Sequence, residues 1–306
     1  MTQARPVPPK QPPALRLIRR FFSVLSLLSP TLAARFALRF FFTPGKHPRP
    51  AREQPWLDRA QRFRLHLHGR EVETFSWGTG PTVLLVHGWA GRATQLSSFA
   101  ASLIERGYRV CSFDAPAHGA SPGRRTNLPE IAGIIGALDT HWGPFEGVVA
   151  HSMGVAATAL ALKNGLRARR VVLIAGPFNM QAVLAGFGRF IALGKRVLPH
   201  FTRLLTQRVG LTPDRIMGPQ VVRHLDTPAV IIHDEEDRQI SSRQARDMAD
   251  HWAGSRLEIT RGLGHHRILA DPRIVSMAVD FITDADSRHP SEGSRTAPPQ
   301  EALLPA

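Results

Sequence analysis

Residues 147–163 read GVVAHSMGVAATALALK, and what Ser152 does in their middle decides how the rest of the chain is read. Val148, Val149 and Ala150 are a short, partly β-branched apolar run of the kind that fills a buried strand. Val155 to Lys163 is an alanine-rich, helix-forming run. A serine at a sharp strand-to-helix turn, with small residues two before it (Ala150) and two after it (Gly154), has the surroundings that an exposed nucleophilic hydroxyl needs. The same position also suits an ordinary helix N-cap. Only the rest of the chain can supply what a nucleophile requires: a base, an acid, donors for a developing anion and a sheet to carry them.

Working outward, the sequence alternates between strands and helices. Phe63 to Trp77 alternates around a His68-Gly69-Arg70 turn and predicts an antiparallel hairpin. Short apolar strands are predicted at 82–86, 109–113, 147–150, 170–175, 229–233 and 256–260, with helices near 94–106, 128–141, 153–164, 242–252 and 272–283. This alternation predicts an α/β chain with a mostly parallel, doubly wound sheet covered on both faces. Residues 177–224 are too long for a simple crossover and are helical and apolar in pattern.

In such sheets the working groups lie in loops beyond the carboxyl ends of the strands. Those loops read His87-Gly88-Trp89, then Asp114 through Ser121 (DAPAHGAS), then His151-Ser152-Met153-Gly154, then Asp234-Glu235-Glu236-Asp237, then Gly262-Leu263-Gly264-His265-His266. A serine, a carboxylate cluster and a histidine therefore occur in that chain order.

With VHGW, DAPAHGAS, AHSMG, HDEED and GLGHH in register, the chain resembles the α/β-hydrolase superfamily over about residues 70–284, in the serine branch whose oxyanion loop is HG followed by an aromatic. The resemblance implies a Ser–Asp–His triad. It gives Ser152 the nucleophile's role, with Ala150 standing where the family usually has glycine. It selects His265 as the base over its neighbour His266, because the base follows the glycine of G-x-G-H. It assigns the acid to Asp237, with Asp234 in the place of a usual glycine and as the reserve candidate. The oxyanion donors it implies are the backbone N–H groups of Trp89 and Met153, with Gly88 and Gly154 as supporting residues. His87 and Asp114 are read as structural supports.

Hydrophobic residues make up 43% of the 306, enough for a sizeable core. The lone cysteine, Cys111, excludes an intrachain disulfide and a cysteine-based zinc cluster. It fits a reducing, cytoplasmic compartment and sits as inert packing in a predicted strand. Net charge is +15, from 39 Lys+Arg against 24 Asp+Glu. No nucleic-acid recognition element accompanies it, so no nucleic-acid partner is expected. His66 and His68 have metal-like spacing on a strand but lack a third ligand, so no metal and no cofactor is expected.

Residues 1–14, proline-rich, and 286–306 are read as disordered tails. Residues 15–62 form an apolar and basic helical extension, broken at Ser29-Pro30 within LRLIRRFFSVLSLLSPTLAARFALRFFF (15–42). Three readings of 15–42 stand: helices docked on the body, peripheral membrane contact, and a secretory signal with a small-residue site at Thr31-Leu32-Ala33. The hydrolase domain spans 63–285. Residues 177–224 fall where the family inserts a lid, and Phe178 and Phe187 are its candidate substrate contacts. Lys195, Arg196, Arg203 and Arg208 either meet an anionic group or face water. The expected function is hydrolysis of an apolar acyl ester or thioester. The runners-up are a cofactor-free peroxidase, a carbon–carbon bond hydrolase, and a binding protein of the same fold without chemistry.

Overall fold

A computed structural model describes residues 12–284. Two helices open the chain, α1 (Pro13–Leu28) and α2 (Pro30–Phe41). Ser29 caps α2 by accepting a hydrogen bond from Leu32 N–H, and Pro30 takes the first helical position, where its missing N–H costs nothing. For the same reason Pro13 can begin α1 inside the stretch the sequence assigned to a tail. The tail assignments otherwise fall on residues outside those described. A short helix α3 (Gln54–Arg59) leads into the hairpin β1 (Gln61–Leu67) and β2 (Arg70–Trp77), so the sheet starts two residues before the expected boundary at 63. The hairpin turn places His68 at φ +49° and Gly69 at φ +73°, the two left-handed positions that fit a tight hairpin to the strand twist.

The alternating units follow: β3 (Thr82–Val86), α4 (Ser97–Glu105), β4 (Arg109–Asp114), α5 (Leu128–Trp142), β5 (Gly147–His151), α6 (Met153–Lys163) and β6 (Val171–Ile174). Between β6 and β7 (Ala229–Asp234) lie four helices, α7 (Met180–Phe190), α8 (Leu198–Val209), α9 (Pro213–Ile216) and α10 (Pro219–Val222). The chain then runs through α11 (Arg243–His251), β8 (Ser255–Thr260), α12 (Gly264–Arg267) and α13 (Pro272–Thr283).

The eight strands form one sheet in the order β1-β2-β4-β3-β5-β6-β7-β8. β2 pairs antiparallel with β1 and β4, and every later pair is parallel. Strand periodicity divides the core. Leu84, Val86, Val148 and Ala150 face a layer containing α5 and α6, whereas Val83, Leu85, Val149 and Val172 face α4 and α13. Burial on both faces accounts for the near-continuous apolar runs of β3, β5 and β6. Cys111 lies in the first layer, fully buried, with its thiol pushed up to about 12 by burial.

The N-terminal helices dock on the body. Phe40 packs on Phe187 of α7 (ring centroids 5.9 Å apart), and Phe41 packs on Phe187 (4.9 Å) and on Phe201 of α8 (5.6 Å). Arg19 donates to the backbone carbonyls of Arg189 (2.8 Å) and Phe190 (2.6 Å), and Ser26 Oγ accepts from Gly194 N–H (3.0 Å). Among the described residues no helix is long and apolar enough to cross a membrane.

Candidate active site

β5 ends at His151, and the chain reverses through Ser152 at φ +54°, ψ −126° before α6 begins. A non-glycine residue held there stores backbone strain. The serine side chain caps nothing in α6, which sets aside the N-cap reading of the sequence. Neighbouring glycines make the turn possible. A Cβ on Gly154 would stand 2.6 Å from the His87 carbonyl oxygen and 2.7 Å from that of Val86, and one on Gly88 would stand 2.7 Å from Ser152 Cβ.

Three side chains from three strand ends converge. Ser152 Oγ lies 3.1 Å from His265 Nε2, and His265 Nδ1 lies 2.7 Å from Asp237 Oδ2. All three are buried. Because the Asp237 carboxylate can only accept, Nδ1 carries the proton and Nε2 is left facing the serine hydroxyl. Asp237 Oδ1 accepts from the N–H groups of Gln239 (2.7 Å) and Ile240 (3.0 Å). Burial pushes its carboxyl up, but hydrogen bonds from His233, His265 and Ile240 outweigh this and hold it far below the usual carboxylate range.

Asp234 stays apart from the histidine ring. Its oxygens accept from Glu236 N–H (3.0 Å), Thr260 Oγ1 (2.8 Å) and Leu263 N–H (3.0 Å). It therefore ties the acid loop to the histidine loop. His266 points elsewhere, with Nε2 3.0 Å from Gln239 Nε2.

The loop after β3 is pinned from below. Ala115 N–H donates to His87 Nε2 (3.0 Å), so Nδ1 carries the hydrogen and donates to the Gly88 carbonyl (2.7 Å). Burial lowers the His87 pKa to about 4, keeping the ring neutral. Asp114 accepts from Ala93 and Ala120 N–H, each at 2.7 Å, and burial raises its pKa. Trp89 packs edge-on against His118, with ring centroids 5.3 Å apart. Met153 opens α6, where the first backbone N–H groups have no partner within the helix and the dipole favours negative charge.

A cavity of about 990 Å³ opens over Ser152, with Trp89 and Met153 in its lining. Its walls are mainly apolar and come from two separate parts of the chain: Phe40 and Phe41 of α2, and Val183, Phe187 and Phe190 of α7. Phe187, one of the two phenylalanines expected at the substrate, is in the cavity wall. Phe178 does not line the cavity and is corrected. It is buried against His251 (ring centroids 5.8 Å apart), because its N–H is held at 2.8 Å by Gln244 Oε1, a side chain of α11. Of the cations considered in 177–224, none lines the cavity; Arg189 and Arg238 do.

Several supports went unforeseen. His151, fully buried, donates from Nε2 to the His265 carbonyl (2.9 Å), and the two rings lie tilted against each other with centroids 4.8 Å apart. Burial lowers its pKa to about 3. Its place just before Ser152 was the available signal. His233 Nε2 donates to the Ile240 carbonyl at 2.9 Å and lies 3.4 Å from Asp237 Oδ2. Glu53, buried within the N-terminal extension just before α3, takes both Arg92 Nε (2.6 Å) and Nη2 (2.9 Å) and the Thr94 hydroxyl (2.6 Å). It secures the segment that follows the Trp89 loop.

A sequence model of the alpha/beta hydrolase family matches residues 83–278. Among characterised proteins the chain is similar to a pimeloyl-(acyl-carrier protein) methyl ester esterase of Methylococcus capsulatus, 28% identical over 233 residues, covering 64% of this chain and 89% of that one. It is also similar to a non-heme haloperoxidase of Rhodococcus erythropolis, 32% identical over 111 residues, which spans 35% of this chain and 40% of that one. The solved structure of an esterase from Exiguobacterium antarcticum shares the fold, with a TM-score of 0.57 at 18% identity, covering 72% of this chain and 99% of its own. The matched segment runs from β3 into α13 and holds all the strand-end loops of the site, so this chain belongs to the alpha/beta hydrolase family.

Proposed function

We propose that this protein is a serine hydrolase that cleaves an ester or thioester of an apolar acyl group through an acyl-enzyme. The observation that carries this reading is the chain of contacts from Ser152 through His265 to Asp237 at the floor of an apolar cavity. Ser152 Oγ attacks the substrate carbonyl while His265 Nε2 takes its proton; His265 then returns that proton to the leaving alcohol or thiol. Asp237 orients the ring and stabilises its cationic form. The backbone N–H groups of Trp89 and Met153 receive the oxyanion. Water repeats the sequence in the second half, with His265 again as base, and frees the acid.

The aromatic walls favour an acyl chain over a polar group, and the methyl ester esterase likeness supports the same substrate class. The haloperoxidase likeness favours a second reading, a cofactor-free peroxidase using the same three residues. A fluorophosphonate probe followed by intact-mass measurement tests the first. We expect one adduct on the native chain, none on Ser152→Ala, and hydrolysis of a series of acyl esters that vanishes in the same variant. Turnover that survives Ser152→Ala would overturn the assignment. Halide oxidation by hydrogen peroxide outrunning ester hydrolysis would favour the second reading.

A further inference from the structure

The face of the N-terminal helix pair that points away from the body is neither polar nor covered. Leu17, Phe21, Val24 and Leu28 recur at helical spacing along α1, and Leu17 and Leu28 are 71% and 77% exposed. Leu32 and Phe36 of α2 and Phe190 of α7 extend the exposed apolar surface. The buried side of α1, which carries Phe22 and Ser26, is the opposite one; within the outer stripe Phe21 meets Phe36 of α2 edge-on (ring centroids 5.9 Å apart), while Leu17 and Leu28 stand in the open. Monomeric proteins rarely leave so many large apolar side chains together in water.

The charge around this stripe has one sign. Ten of the chain's Lys and Arg residues precede Glu53, its first acidic residue. Arg16, Arg20, Arg35 and Arg39 on the two helices are exposed and form no ion pair among the described residues. An apolar stripe flanked by unpaired arginines and free of carboxylates is complementary to an anionic lipid surface: leucines and phenylalanines enter the acyl boundary and guanidinium groups meet phosphates.

The position relative to the cavity gives this surface a use. A shallow groove between α1 and α2 is lined by Leu17, Ile18, Phe21, Phe22 and Phe36, and it shares Phe40 and Thr43 with the lining of the cavity over Ser152. We infer that α1 and α2 dock the protein on an anionic bilayer with the cavity mouth at the lipid, so that an acyl substrate enters along the groove past Phe40 without crossing water. The route for the substrate rests on the hydrolase reading; the docking does not.

Co-sedimentation of the full chain with vesicles separates these claims. Vesicles of phosphatidylcholine mixed equally with phosphatidylglycerol should carry the protein down, phosphatidylcholine alone should not, and added salt should release it. Val24→Asp with Leu28→Asp, and separately Arg16→Glu with Arg20→Glu, should each weaken binding about tenfold or more while hydrolysis of a soluble short-chain ester stays unchanged. Ser152→Ala should bind vesicles like the native chain, so failure of the hydrolase reading leaves the docking result legible. Absent binding, equal binding to both vesicle types, or unchanged binding in both double variants overturns the inference. So does a stable dimer in solution that Val24→Asp with Leu28→Asp dissociates, which would make a second copy the occupant.

Discussion

The loops at the carboxyl edge of the sheet and the helices that cover them are held together by different forces. In the loops the polar side chains are set by directional bonds: Asp237 to His265, Asp234 to Leu263 N–H, His87 to Ala115 N–H, Asp114 to Ala93 N–H. In the cover, α2, α7 and α8 meet through rings, with Phe187 touching Phe40, Phe41 and Phe201. Directional bonds fix atoms to within tenths of an ångström, as proton transfer requires. Apolar packing fixes volume and leaves detail free, which suits the proposed selection of an acyl chain by size. Changes in the first region should therefore abolish chemistry, and changes in the second should move selectivity.

The largest effect tests the first region. Ser152→Ala should lower turnover by about 10⁴-fold or more without altering the thermal unfolding midpoint, since its hydroxyl supports no helix cap. Loss of both together would mean that the serine is structural.

The neutral buried imidazoles behind the loops give the next effect. His87, His118 and His151 have folded-state pKa values lowered to about 4, about 3 and about 3, mainly by burial. In the unfolded chain they titrate near 6.5. Between those values the unfolded chain binds more protons, so their contribution to stability is complete above pH ~6.5 and is lost as pH falls toward the folded values. The slope approaches about 1.4 kcal/mol per pH unit for each histidine. Urea unfolding from neutral pH downward checks it; a flat midpoint would show that these rings are not buried uncharged.

In the cover, Phe41→Ala and Phe187→Ala should each raise KM for long acyl esters about tenfold, from lost apolar contact, and leave kcat on acetyl esters within about twofold. Equal losses on short and long esters would erase the contrast between the two regions. The smallest effect is expected at Lys195, Arg196, Arg203 and Arg208. Each is exposed and outside the cavity lining, and changing them to Gln should alter turnover and stability by less than about twofold. A larger loss would place an anionic group of the substrate at the outer surface of the cover.

Much of this molecule is legible in one dimension. Each strand-end group lies next to its own strand, so a local apolar run followed by Gly, Ser, Asp or His marks both the element and the loop. The Ser29-Pro30 break is local in the same way. The choice of Asp237 over Asp234 came only through the resemblance, because four neighbouring carboxyl side chains look alike in sequence; in the structure Asp237 meets the His265 ring and Asp234 binds Leu263 N–H instead. Phe178 and Phe187 could not be told apart, because both are apolar residues in a helical region and only Gln244, distant in sequence, turns one of them away.

By itself, then, the sequence determined the strand–helix order, the break between the first two helices and the set of polar groups offered at the sheet edge, because short-range periodicity and turn chemistry dictate these. Only the tertiary structure decided that α2 walls the cavity over Ser152, that Glu53 braces Arg92 and Thr94, and that His151 backs His265. Those contacts join segments far apart in the chain. Apolar contact in particular carries no direction, so composition announces that Phe40 and Phe41 will be packed but not against what.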